Sequence, residues 1–214
     1  MANFRLIEDQ YISPTPAGAY YAVSAPQKDD SRSLISHLLQ QESNPLLTMR
    51  NLVTWSNAAD EDSARELLYH IQKLGWVQGS DSPETAPAGA LEETLPQLLG
   101  PLSGDGKALL ADSQGFYLAS RGFPHETAEE LSALSADLAS LYTRHQGVLD
   151  GNLGLGSSAW AVVDAAGNSQ IGFWPLYIGE QRFVLAMAGL PHLNQPELTR
   201  LIWALNKRYG TSTA

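Results

Sequence analysis

The chain has 214 residues, 43% of them hydrophobic, and carries 13 Lys or Arg against 23 Asp or Glu, a net charge of −10. It contains no cysteine, which excludes disulfides, thiol catalysis and cysteine-held zinc and suits a reducing cytoplasm. Residues 1–90 hold six cations and eleven acids and the remainder seven and twelve, so neither half offers the basic surface a polyanion needs.

The opening Met-Ala-Asn-Phe-Arg-Leu-Ile-Glu-Asp lacks a basic region followed by an apolar core, and no later stretch reaches the roughly 18 uninterrupted apolar residues of a membrane span. A soluble, cytoplasmic protein is therefore expected. Asp9 to Ser13 and Ala19 to Ser24 read as strands, parted by the turn-forming Pro14-Thr15-Pro16-Ala17-Gly18. Three helical patterns follow. The first carries Leu34, Ile35, Leu38 and Leu39 on one face. Asn44-Pro45 supplies an N-cap and a first-turn proline for the second, which bears Leu47, Leu52, Val53 and Trp55. The third runs from about Asp60 to Leu74, with Ala64, Leu67, Leu68, Ile71 and Leu74 at helical spacing and Gly75 as its stop. Trp76-Val77-Gln78 then leads into Gly79 to Gly89, a stretch with two prolines and no large apolar residue that marks a boundary. From Ser31 to Gln78 this order is similar to a winged helix-turn-helix domain. The expected organisation is a winged-helix-like domain over 1–79, a linker over 80–90 and a second domain over 91–214.

The second domain begins with a short amphipathic helix carrying Leu91, Leu95, Leu98, Leu99 and Leu102, with Pro96 near its start. Two apolar runs, Ala108 to Ala111 and Phe116 to Ser120, flank Asp112-Ser113-Gln114-Gly115, a hairpin signal. A long helix starts near Thr127, where the Thr hydroxyl and Glu130 three residues on can form a capping box. Its expected buried stripe is Leu131, Leu134, Leu138 and Leu141; its other face is Glu126, Glu130, Ala133, Asp137, Ser140 and Arg144, and Gly147 ends it. Strands are expected at Trp160 to Asp164, Ile171 to Ile178 and Phe183 to Ala188. Gln195-Pro196-Glu197 opens a last helix with Leu198, Leu201, Ile202 and Leu205, closed by Lys207-Arg208.

The run Leu109 to Gly122 followed by Ala128-Glu129-Glu130-Leu131-Ser132-Ala133-Leu134 resembles the roadblock/LC7 family. Gln170-Ile171-Gly172-Phe173-Trp174-Pro175-Leu176 and Phe183 to Ala188 are similar to that family's later strands. The resemblance spans about residues 91–209 and implies an α+β fold, a five-stranded antiparallel sheet with helices, here preceded by the small winged-helix-like domain. It also implies pairing as a homodimer or heterodimer and service as a scaffold or regulator of small Ras-like GTPases; in bacteria it suggests a GTPase of the gliding-motility type. No catalytic residue of the family maps onto this sequence.

The residues themselves offer little chemistry. Gly151-Asn152-Leu153-Gly154-Leu155-Gly156 imitates a phosphate loop, but it follows a helix, precedes a strand and lacks a trailing Lys-Ser or Lys-Thr, so it reads as a connector. His37, His70, His125, His145 and His192 are scattered without metal-ligand spacing. Gly156-Ser157-Ser158-Ala159 is not a nucleophile elbow, and Glu129-Glu130 is explained by the macrodipole of the helix start. No catalytic residue, cofactor or metal site is assigned.

DNA binding is disfavoured because the third helix of the N-terminal domain begins Asp60-Glu61-Asp62 and the candidate wing carries Asp81 and Glu84, which repel phosphate. Interface residues are expected at Glu126, Glu130, Ala133, Asp137 and Arg144 on the long helix, and at Trp174 in a strand, since aromatics are enriched at interface centres. The leading expectation is a non-enzymatic regulator that homodimerises and binds a protein partner, a small GTPase. A DNA-binding transcription regulator with a dimerising or sensing C-terminal half stands second, and a hydrolase or transferase using the sheet cleft third.

Overall fold

A computed structural model describes residues 6–210. Strand β1 (Tyr11–Pro14) passes directly into helix α1 (Pro16–Val23), where a second strand is expected from sequence. The Thr-Pro pair decides this. Gly18 N–H donates to Thr15 Oγ1 at 3.2 Å, and Pro16 occupies the first helical turn, where its missing N–H costs nothing. Gly18 also lets α1 lie on the backbone of Trp76, whose carbonyl any Cβ would strike.

Helix α2 (Asp30–Gln40) is capped by Asp29, which accepts from Arg32 N–H at 2.8 Å, and buries Leu34, Ile35, Leu38 and Leu39 as expected. Helix α3 (Met49–Ser56) starts later than Asn44-Pro45 suggests, because Thr48 is its cap. Asn44 to Leu47 runs alongside β1 instead, with Ile12 N–H donating to Pro45 O at 3.0 Å and Leu47 N–H to Gln10 O at 2.7 Å. Helix α4 (Glu61–Lys73) is capped by Asp60 and stopped by Gly75 at φ +71°. Strand β2 (Val77–Ser80) then pairs antiparallel with β1, from Tyr11↔Ser80 to Pro14↔Val77. The segment 80–90 is tied to the loop after α2: Asn44 N–H donates to Glu84 O and Ala86 N–H to Glu42 O, both at 2.9 Å.

The C-terminal half runs α5 (Leu91–Leu99), β3 (Ala108–Ala111), β4 (Tyr117–Arg121), α6 (His125–Gln146), β5 (Trp160–Val163), β6 (Ser169–Ile178), β7 (Gln181–Ala188) and α7 (Pro196–Tyr209). The strands form one antiparallel sheet in the order β4-β3-β7-β6-β5, so the α+β class and the five-stranded sheet expected from sequence are what the chain builds. The β3–β4 hairpin forms because the Asp112 carboxylate accepts from Gln114 N–H (2.8 Å) and Phe116 N–H (3.0 Å), while Gly115 takes φ +88°.

One sheet face presents Leu110, Leu176, Leu185 and Met187 to α5 and α7. α7 is packed on its far side by α1 and α2, and the buried residues of both halves form a single cluster. Trp203 Nε1–H donates to Gln41 O at 2.9 Å and Gln40 Nε2–H to Gly210 O at 3.0 Å across the junction. The second face holds a smaller cluster, Leu109, Ala111, Phe173, Val184 and Ala186, beneath α6. No helix among the described residues is long and apolar enough to cross a membrane.

Candidate interaction surface

Helix α6 begins at His125, two residues before the expected Thr127, and no side chain caps it, so the Thr127–Glu130 box does not form. Its orientation also differs from the expectation. The residues against the sheet are Ala128, Ser132, Ser135 and Ala139; the expected stripe is only partly covered at Leu131, Leu138 and Leu141, and Leu134 is 44% exposed. The reason is steric. Small residues let the helix axis approach the sheet closely, and the serines return their hydroxyls to the helix, Ser132 to Ala128 O and Ser135 to Ser132 O, each at 2.7 Å. Leu131 and Leu138 pack on the flank of the smaller cluster, and Leu134 is left on the outer side.

The same side of the sheet has an open edge. α6 lies over β3, β4 and β7. The register Trp160↔Phe173 and Val162↔Ile171 places Trp160 and Val162 of β5 on the α6 side, at the free edge. Val162 and Val163 are 59% and 55% exposed. The strand Trp-Ala-Val-Val has no charge, no proline and no covering helix, three of the devices by which edges avoid pairing, though it is only four residues long and its register shifts between Val162 and Val163. At the other edge β4 is packed by α5 and ends in Arg121. Leading into β5, the turn Gly147–Asn152 and the residues after it expose Val148, Leu153 and Leu155.

Two polar contacts fix the ends of α6. At its start Tyr117 Oη lies 2.6 Å from His125 Nδ1, and His125 Nε2 lies 3.5 Å from Glu129 Oε1. At its end Tyr142 Oη donates to the Asp150 carboxylate, 2.6 and 2.7 Å from its two oxygens, and Gln146 adds a donor at 3.1 Å. Burial, followed by the hydrogen bond and charge of Asp150, pushes the Tyr142 phenol up to about 12. This clamp holds the chain where it leaves α6 for β5.

Of the residues singled out from sequence, Glu126, Glu130, Ala133, Asp137 and Arg144 all sit on the exposed side of α6. Asp137 and Arg144 border a shallow groove with Leu138 and Leu141. Trp174 is not with them. Alternation along β6 sends it to the opposite face, where it is half-buried against the larger core with its ring over Gly172. The sequence reading expects a strand at Trp160 to Asp164 and assigns Leu134 to the buried stripe, so it names neither as exposed surface; the uncharged Trp-Ala-Val-Val run, at the edge of a sheet wider than α6 covers, was the available signal. Gly151 to Gly156 lies between α6 and β5 with open space around Gly151, Gly154 and Gly156. Among the described residues no group of three or more His, Cys, Asp or Glu side chains comes together as a metal site.

No protein-family model matches this sequence, and no curated protein matches it. Three solved structures are similar to part of the chain. The crystal structure of a roadblock/LC7 domain from Streptomyces avermitilis is 17% identical over 50% of this chain and 90% of its own, with a TM-score of 0.34. MglB of Myxococcus xanthus is 18% identical over 50% of this chain and 84% of its own, with a TM-score of 0.31. The gliding protein MglB of Thermus thermophilus is 20% identical over 57% of this chain and 93% of its own, with a TM-score of 0.34.

Proposed function

We propose that this protein is a non-enzymatic regulatory scaffold that pairs with a second copy through β5 and the leucine flank of α6, and that the assembled surface receives a small Ras-like GTPase. The observation that carries the reading is the uncovered, uncharged apolar edge at Trp160 to Val163. Antiparallel pairing of two β5 strands satisfies the outward backbone groups and brings exposed Val162 against the second copy. The class of partner comes from the resemblance of residues 91–209 to roadblock/LC7 domains. Light scattering on the eluting protein tests the pairing: wild type runs as a dimer and Val162→Lys as a monomer of unchanged circular dichroism. A wild type that stays monomeric at high concentration contradicts it. Capture on immobilised protein from the native lysate, read by mass spectrometry, tests the partner, and recovery of no small GTPase contradicts that part.

The N-terminal half acts in this reading as a winged-helix-like module for protein contact rather than for DNA. The first turn of α4 carries Glu61 and Asp62, and its nearest cation, Arg65, is held by both, at 3.5 and 2.9 Å. Little positive charge is left there for phosphate. Passage through heparin at low salt without retention is the expected result; salt-dependent retention contradicts it.

A further inference from the structure

The cleft between the two halves has a lining unlike the rest of this acidic chain. It has a volume of about 510 Å³ and lies where α2 and Trp55 of α3 meet the β6–β7 turn and the end of α7. Three permanent cations line it, Lys28, Arg32 and Arg182, against one carboxylate, Glu180.

Neither guanidinium is fully satisfied. The Arg32 side chain is 13% exposed; it donates Nη1–H to Tyr21 O at 3.3 Å, lies 4.1 Å from the Tyr21 ring centroid and has Asp29 at 3.7 Å. Its Nε is nevertheless buried without an acceptor. Arg182 is half-buried, its Nε has no acceptor, and among the described residues no hydrogen bond or ion pair reaches its side chain. Asn206, 3% exposed at the same cleft, donates Nδ2–H to Ile202 O at 2.9 Å. Arg32 has Asp29 as counter-charge, but Arg182 is a partly buried cation without one, which is costly, and an oxyanion is the group that answers a guanidinium best. The volume falls within the roughly 300–1,000 Å³ of metabolite pockets, and Trp55 adds an aromatic wall.

We infer that this cleft binds a small organic oxyanion, a phosphorylated or polycarboxylate metabolite, met by Arg32 and Arg182 and bounded by Trp55. Its lining comes from both halves, so an occupant bridges them.

The test is a nuclear magnetic resonance titration of the full chain at constant ionic strength, following the indole N–H signals of Trp55 and Trp160. The probes are adenosine 5′-monophosphate, citrate, inorganic phosphate and adenosine. The expected result is saturable movement of the Trp55 signal, with Trp160 still, by the monophosphate or citrate; the tighter of the two identifies the source of the charge. Arg182→Gln weakens that binding by roughly tenfold, the factor for one lost charge-assisted hydrogen bond. Lys28→Gln serves as a second, exposed variant with a smaller loss, and retained signal dispersion confirms that both fold. Four results overturn the inference: no saturable movement with any anion, adenosine binding as tightly as its monophosphate, inorganic phosphate binding as tightly as either organic anion, or affinity unchanged in both variants.

Discussion

Helices α6 and α7 both pack on the five-stranded sheet, yet one is enclosed and the other is half bare. α7 buries every residue from Leu201 to Asn206, because the sheet holds one side of it and α1 and α2 hold the other. α6 buries only Ala128, Ser132, Ser135 and Ala139, with Leu134 in solvent. Each face of a narrow sheet needs a second layer, and its helix needs an outer one if that helix is apolar all round. The N-terminal half supplies that outer layer for α7. Nothing within the described residues supplies it for α6, and this is why the proposed protein contact is placed on the α6 side.

The contrast is sharpest when the same kind of truncation is made on each helix. Trp203→Ala on α7 removes a side chain 4% exposed together with its hydrogen bond to Gln41 O, and is expected to cost about 3–5 kcal/mol in denaturant unfolding. Leu134→Ala on α6 is expected to stay within about 0.5 kcal/mol under monomeric conditions while weakening self-association. Equal losses at both positions would dissolve the distinction. A smaller effect is expected from Gly18→Ala, about 1–3 kcal/mol, because its methyl group meets the Trp76 carbonyl and lifts α1 from its seat. The hairpin that seats the start of α6 is the next step down: Asp112→Ala removes the carboxylate that accepts from two backbone N–H groups and is expected to cost about 1 kcal/mol.

The weakest handle is pH. The Tyr142 phenol is raised in the folded chain from near 10 to about 12, so its contribution is complete below pH 10 and is lost as pH rises through about 12. Tyr142→Phe should flatten the fall in stability over that window, and an ultraviolet titration should lose its highest-titrating phenol. A variant with the same alkaline profile as wild type would show that the Asp150 clamp carries no such weight.

Much of the fold was legible because local chemistry and tertiary demand agree. Asp112 to Gly115 encodes a turn wherever it is placed, and Asp60 with Gly75 brackets α4 on both scales. The misreadings occur where they part. Ala19 to Ser24 carries two tyrosines and a valine, which suit a strand, but the Thr15 cap and the close seat of Gly18 on Trp76 make it a helix. In α6 the leucine periodicity is real, yet periodicity does not say which of two neighbouring faces meets the sheet. The choice fell to alanines and serines, because only they allow close approach. The candidate surface was half legible for the same reason: the five α6 positions are exposed together, whereas Trp174, chosen for its aromatic character, is committed to the other face by strand alternation.

Amide hydrogen exchange of β5 as a function of protein concentration tests the central claim most directly. An edge that pairs with a second copy predicts slow exchange for the outward amides of Trp160 to Val163 at high concentration and fast exchange on dilution, with β3 and β7 protected throughout. Exchange from β5 that stays fast at every concentration would contradict the account.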